Sequence, residues 1–241
     1  MSEIKILFQD QNIVAIHKPS GFHVHPQENS EYKIPKNKIC LYVLRNELNK
    51  YLYPVHRLDA GTSGVLLFAL NKDAAREISQ LFQEQKVKKT YHAVIRGWLK
   101  EKQGLIEIPL ESDSSDVLLP SETEYEVISE RQTEELVGKR QWPGRYSLIK
   151  VNPKTGRYHQ IRRHFNRISH PIIGDAQHGD SHHNRFFRET FGIEGLCLRA
   201  SKIYFEPSWV SGQGLEISTE SDEKWKKCFS FFEMQVGDLN E

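Results

Sequence analysis

The run GVLLFAL (64–70) constrains the fold more than any other stretch of the chain. It is apolar without alternation and of strand length, which predicts a central strand buried on both faces. Other strand-like runs surround it. IKILF (4–8) and NIVAIH (12–17), separated by QDQ, predict a hairpin. KKTYHAVIRGWL (88–99), GLIEI (104–108), TEYEVIS (123–129), RYSLIKVN (145–152), LCLRASKIYF (196–205) and GLEIST (214–219) predict further strands. Helices are fewer. KNKICLYVLRNELNKYL (36–52), NKDAAREISQLFQEQ (71–85) behind an Asn71 cap, YHQIRRHFNRI (158–168) and DEKWKKCFSFF (222–232) carry helical periodicity. Strands outnumber helices and most connections are hairpin-length. The expectation is a single α+β domain over 1–241, built on a largely antiparallel mixed sheet flanked by helices and loops. The acidic stretch near 111–120 and the 138–145 loop (GKRQWPGR) are expected as surface excursions. The chain shows no internal repeat or low-complexity linker.

The formal net charge of +1 conceals opposed segments. Residues 86–100 and 151–174 are basic and carry no acid, whereas 111–135 sets nine acids against the single base Arg131. Two basic segments can track a polyanion while the acidic stretch faces away; ordinary solvated faces are the plainer reading. Cys40, Cys197 and Cys228 are odd in number and widely spaced, the usage of reduced thiols in a cytoplasmic protein. The start MSEIKILFQDQ is too polar for a signal peptide, and no apolar run reaches membrane-spanning length.

Several residues can carry chemistry. Asp59 in HRLDAGTSG either closes a turn or acts as a covalent nucleophile held ionised by a nearby cation. Arg57 stands two residues before it. In KKTYHAVIRG, Tyr91 and Lys89 share one strand face, so that a base can stack on the ring while the lysine meets phosphate; an ordinary strand aromatic is the alternative. In KTGRYHQIRRH, Arg157 marks the entrance of a basic helix. Arg162 borders the apolar stripe of Ile161, Phe165 and Ile168, and a half-buried arginine requires a carboxylate, for which Asp59 is one candidate. GDAQHGDSHHNRF gathers His178, His182 and His183 with Asp175 and Asp180, a composition compatible with a metal, but no H-E-x-x-H or cysteine complement accompanies it.

Taken in order, HRLDAGTSGVLLFAL, KKTYHAVIRG, TGRYHQIRRH and HPIIGDAQHGD resemble the pseudouridine synthases of the RluA type, and VAIHKPSGFHVHP resembles that family's N-terminal loop. The likeness runs over roughly residues 4 to 220, and H-R-L-D-x-x-T-S-G is a very specific string. The resemblance implies isomerisation of uridine in RNA. Asp59 then corresponds to the catalytic aspartate, Tyr91 to the tyrosine that packs on the uracil and serves proton removal at C5, and Arg162 to the arginine paired with the aspartate. Ile161 walls the pocket and Arg57 enters the space left by the extruded base. His56, Thr62, Lys89 and Arg157 are the remaining expected substrate contacts. No metal, cofactor, additional RNA-binding domain or obligatory protein partner is expected, and nothing in the sequence suggests more than a monomer. The resemblance implies tRNA as the substrate, with ribosomal RNA as the alternative. A non-catalytic RNA-binding module and a metal-dependent hydrolase built on 175–183 are the competing classes.

Overall fold

The structure, a computed structural model, describes residues 4–26, 34–112, 115–206 and 214–235. Along the chain lie β1 (Lys5–Gln9), β2 (Ile13–Lys18), α1 (Cys40–Leu48), β3 (Tyr53–Pro54), β4 (Ser63–Ala69), α2 (Lys72–Gln83) and β5 (Val87–Arg96). Then come β6 (Gln103–Ile106), β7 (Leu110–Glu111), β8 (Leu118–Leu119), β9 (Thr123–Val137) and β10 (Trp142–Pro153). The chain continues with α3 (Gln160–Arg167), α4 (Ser181–Phe191), β11 (Leu198–Phe205), β12 (Leu215–Ser218) and α5 (Glu223–Phe231). These elements form two compact units, Met1–Lys89 with Ala200–Thr219 and Thr90–Arg199 with Glu220–Glu241. The α+β class and the antiparallel pairing follow the expectation.

In the first unit the strand order is β1-β2-β4-β11, with β3 pairing β4 and β12 pairing β11. Every residue of β4 is buried, as its uninterrupted apolar sequence requires. Helix α2 covers one side, its Asn71 cap accepting from the Ala74 amide at 2.8 Å and its Ala74, Ile78 and Leu81 packing on Val65, Leu67 and Ile203. The helix expected over 36–52 is shorter at both ends. Ile39 is extended because its segment bridges to His23, whose amide donates to the Lys38 carbonyl and whose carbonyl accepts from Cys40, so α1 begins only afterwards. Asn49 then turns left-handed (φ 49°) and ends it.

The second unit is built on the antiparallel order β5-β10-β9-β6. Half of the expected 138–145 excursion is strand. β9 and β10 run on to pair Val137 with Trp142, leaving only Gly138–Gln141 as the turn, with Gly138 (φ 81°) and Gln141 (φ 50°) both left-handed. The mixed polarity of ERQTEELV reflects one solvated face rather than a loop. Of the expected excursion at 111–120, residues 113–114 lie outside the described residues, and the flanking β7 and β8 pair with each other. Helix α4 was not expected. Asp180 caps it by accepting from the His182 and His183 amides, Gly192 ends it, and Phe187 enters a core with Tyr146, Phe229 and Phe231. Helix α3 begins at Gln160, later than expected, since His159 is left-handed (φ 50°).

Gly64 shows how tightly the first unit is closed. Its φ is +116°, and a Cβ there would stand 2.0 Å from the Ala200 carbonyl oxygen of β11. Gly64→Ala is therefore expected to cost about 2–5 kcal/mol of stability, combining backbone strain and overpacking, measurable by urea unfolding monitored by circular dichroism.

Candidate active site

Asp59 opens a four-residue turn closed by its own carbonyl, which accepts from the Thr62 amide at 3.0 Å. Thr62 and Ser63 are buried immediately behind it. The turn is gripped by the loop KPSGF (18–22). The Ala60 carbonyl accepts from the Gly21 amide at 2.7 Å and from Lys18 Nζ at 3.0 Å, and Ser20 Oγ donates to the Gly61 carbonyl at 2.8 Å. Lys18 is wholly buried, and its ammonium also donates to the carbonyls of Phe22 (2.8 Å) and Pro19 (3.0 Å). Three converging carbonyls match the three N–H donors of a lysine. Sequence reasoning passed over Lys18, and the signal that could have found it is a lysine ending an otherwise apolar strand just before Pro-Ser-Gly.

His56 holds the other side of this segment. Its Nε2 accepts from the Leu67 amide at 3.0 Å, and its ring stacks on Phe82 at 5.0 Å between centroids. The register explains why. β3 pairs with β4 only through Tyr53–Ala69 and Pro54–Phe68, so the ring supplies the ladder acceptor after the chain has peeled away towards Asp59. Accepting at Nε2 requires a neutral ring protonated at Nδ1. Burial, reinforced by the positive charge of Lys89, lowers the His56 pKa to about 3. Burial also lowers the pKa of Lys89. Arg57, between His56 and Leu58, is exposed.

The second unit positions the other expected site residues. Tyr91 sits opposite Val151 in the β5–β10 register and leans on the core that contains Ile161. The turn before α3 is built around Gln160, which is buried. Its Oε1 accepts from Thr155 Oγ1 (2.7 Å) and the Arg157 amide (3.0 Å), while its Nε2 donates to the Glu122 carbonyl (2.8 Å) and Thr123 Oγ1 (3.0 Å). His164, also buried, bridges Thr123 Oγ1 at Nδ1 and the Ile108 carbonyl at Nε2, both at 2.9 Å. Burial lowers its pKa, in keeping with a neutral ring. Arg157 directs its Nε to the Pro120 carbonyl at 3.3 Å.

Arg162 is buried, and a carboxylate meets it, as desolvation demands. Within its own unit that carboxylate is Asp175. Nε donates to Oδ2 at 2.7 Å and Nη2 to Oδ1 at 2.8 Å, a bidentate pair, and Gln177 Oε1 lies 3.3 Å from Nη2. Asp175 Oδ1 also accepts the amides of Gln177 and His178 at 3.0 Å. Hydrogen bonds from Arg162 and these amides lower its pKa against the opposing effect of burial, which is the largest single influence. Asp59 belongs to the other unit, and its pairing with Arg162 is part of the mechanism proposed below.

The His-rich loop divides its ligands among different tasks. Asp175 holds Arg162, and Asp180 caps α4 and pairs with Arg96 at 2.6 Å. His183 Nδ1 meets Tyr146 Oη at 2.9 Å, and His178 Nε2 meets His159 Nδ1 at 3.1 Å. Among the described residues no three such side chains converge as a metal site would require.

The acidic segment does not face away from the basic ones. Glu111 pairs with Arg163 and with Arg167, the latter at 2.9 Å, Glu124 pairs with Lys154 at 2.8 Å, and Glu126 pairs with Lys150 at 3.3 Å. Of the apparent polyanion track of 151–174, Lys154, Arg163 and Arg167 are thus paired with carboxylates of the acidic segment.

The sequence model for RNA pseudouridylate synthase matches residues 12–167, the span that includes the Asp59 turn, Tyr91 and Arg162. The chain belongs to the RNA pseudouridylate synthase family. A tRNA pseudouridine synthase C of Vibrio parahaemolyticus is 35% identical over 96% of each chain. One of Haemophilus ducreyi is 37% identical over 95% of this chain and 96% of its own. Among solved structures, Human RNA Pseudouridylate Synthase Domain Containing 4 aligns with a TM-score of 0.72 at 22% identity, covering 96% of this chain and 94% of that one. Human RNA Pseudouridylate Synthase Domain Containing 1 aligns with a TM-score of 0.71 at the same identity, covering 91% and 84%. These two share its fold.

Two outcomes test this geometry. Lys18→Met removes one donor from each of three carbonyls and leaves a buried site without its cation, and is expected to lower stability by about 3 kcal/mol, read from chemical unfolding. His56 binds its proton near pH 6.5 when unfolded but only near pH 3 when folded. Its contribution to stability is therefore complete above pH 6.5 and declines as pH falls through that value towards 3. In ¹⁵N-edited spectra the folded His56 ring should stay neutral at pH 5; a protonated ring there would contradict the Leu67 contact.

Proposed function

We propose that this RNA pseudouridine synthase acts on tRNA, at uridine 65, with Asp59 as its reactive carboxylate. The observation that carries the assignment of Asp59 is the turn itself: HRLDAGTSG places the carboxylate in a loop whose neighbouring carbonyls are fixed by Lys18, Ser20 and Gly21. A turn this constrained presents one carboxylate in one place, as covalent or general-base chemistry requires. The choice of tRNA rests on the relatives that are 35–37% identical over nearly the whole chain and carry that substrate class in their names.

In this mechanism the target nucleotide leaves the helical stack, because its glycosidic bond is inaccessible within it. Tyr91 packs on the uracil and Ile161 walls the pocket, so the base is retained once its N1–C1′ bond is broken. The uracil turns, C5 bonds to C1′, the C5 hydrogen is lost with the help of Tyr91, and N1 acquires a proton. Arg162, braced by Asp175, holds Asp59 ionised. Arg57 enters the space vacated by the base, and Lys89 and Arg157 meet the RNA backbone. His56 and Thr62 serve by shaping the Asp59 turn rather than by touching substrate.

Because the reaction expels the C5 hydrogen, tritium release from tRNA carrying 5-³H-uridine measures it directly. Asp59→Asn and Asp59→Ala are expected to lower release on the order of a thousandfold or more while RNA binding survives. Undiminished release in either variant would remove Asp59 from the mechanism. Pseudouridine mapping in cells lacking the protein tests the substrate. Loss at tRNA uridine 65 is expected, whereas loss confined to ribosomal RNA would reassign it.

A further inference from the structure

At the C-terminal end of β5 and the facing start of β10, the unit containing Thr90–Arg199 presents two tryptophans to solvent. Trp98 is 39% exposed and Trp142 is 63% exposed, while Trp225 in the same unit is wholly buried. An exposed tryptophan forgoes the burial that normally stabilises so large a side chain. Here each is faced by an arginine. The Arg145 guanidinium lies 4.7 Å from the Trp98 ring centroid, and that of Arg140 lies 5.4 Å from that of Trp142. The backbone builds the arrangement deliberately. The Gly97 amide donates to the Arg145 carbonyl at 2.6 Å and Ser147 Oγ donates to the Gly97 carbonyl at 2.8 Å, fixing the chain on either side of the Trp98–Arg145 pair. Gly97 itself is left-handed (φ +88°), which turns Trp98 out of the strand line.

The tip GKRQWPGR contains Lys139, Arg140 and Arg145 and no acid. Lys139 also lines a shallow cleft with Asn166, His182 and the paired Arg96 and Asp180. The facing strand contributes the exposed Glu134 and Glu135. Unlike Arg163, Arg167, Lys150 and Lys154, neither Arg140 nor Lys139 forms an ion pair with a carboxylate among the described residues.

We infer that this end of the unit is a second RNA-binding surface, on which Trp98 and Trp142 stack bases while Lys139, Arg140 and Arg145 meet phosphates. The inference rests on the reading of the chain as an RNA-modifying enzyme and extends it to RNA beyond the target nucleotide. Aromatic rings interleaved with cations are the means by which proteins hold unpaired or terminal nucleotides without strict sequence demands. Tyr91 and Arg96 are five residues apart in β5, roughly 16 Å along an extended strand, and Trp98 lies beyond the turn at Gly97, too far for the target nucleotide itself. The ligand is therefore flanking RNA.

Steady-state tritium release and anisotropy of labelled full-length tRNA transcript test the surface, using Trp98→Ala, Trp142→Ala, Arg140→Gln and Arg145→Gln. The tryptophan variants are expected to raise KM roughly five- to hundredfold with kcat unchanged. Each arginine variant should reduce the slope of log Kd against log salt by about 1. Glu134→Gln with Glu135→Gln should act oppositely and tighten binding, a sign that simple unfolding does not produce. Unchanged KM, Kd and salt slope in variants that still release tritium would overturn the surface and leave the enzyme assignment intact. A wild-type protein that binds tRNA through these residues but releases no tritium from any RNA would instead overturn the assignment of activity.

Discussion

The ammonium of Lys18 has no exposed surface, and the carbonyls of Pro19, Phe22 and Ala60 converge on it. A charge taken out of water is tolerated only where the protein replaces the lost hydration, and these backbone carbonyls contribute to that here. The consequence passes along the chain. Ala60 is the residue after Asp59, so satisfying a buried lysine also helps determine where the Asp59 turn sits. The same logic governs the second unit, where Asp175 and the amides of Gln177 and His178 replace the hydration of Arg162 and of its partner. In both units a desolvated cation orders a loop that the apolar core does not reach.

This division explains what could be read from the sequence. GVLLFAL and NKDAAREISQLFQ announce β4 and α2 because burial on both faces, or on one helical stripe, is written directly in residue polarity. The extent of β9 and β10 was hidden because a strand solvated on one face with two bulges loses its alternation, and GKRQWPGR resembles a loop by composition alone. Helix α4 was obscured by its histidines, which suggested ligands when the Asp180 cap and the Gly192 terminus were the stronger local signals.

For the site, the roles proposed for Asp59, Tyr91 and Arg162 come from a family resemblance, whereas the contacts made around them were not legible. Lys18, His56, Gln160 and Asp175 act through contacts between segments distant in sequence or through backbone groups, and neither leaves a periodic trace. The opposed charge segments misled for a related reason. A charge count along the chain cannot show that Glu111 returns to Arg163 and Arg167, or that β9 lays its carboxylates beside the lysines of β10. Charges far apart in sequence cancelled in space, and three of the basic residues of the helix that looked most basic are paired.

The first unit is discontinuous: the strand bearing Gly64 is made early, whereas Ala200, against which that glycine is fitted, arrives late. At a synthesis rate of about 5–20 residues per second, the intervening stretch of roughly 130 residues takes on the order of ten seconds to emerge. Throughout that interval the edge of β4 lacks the neighbour for which its glycine was chosen. The scaffold behind the Asp59 turn is therefore complete only once Ala200 has emerged, so that a shorter nascent chain carries the full HRLDAGTSG motif without it.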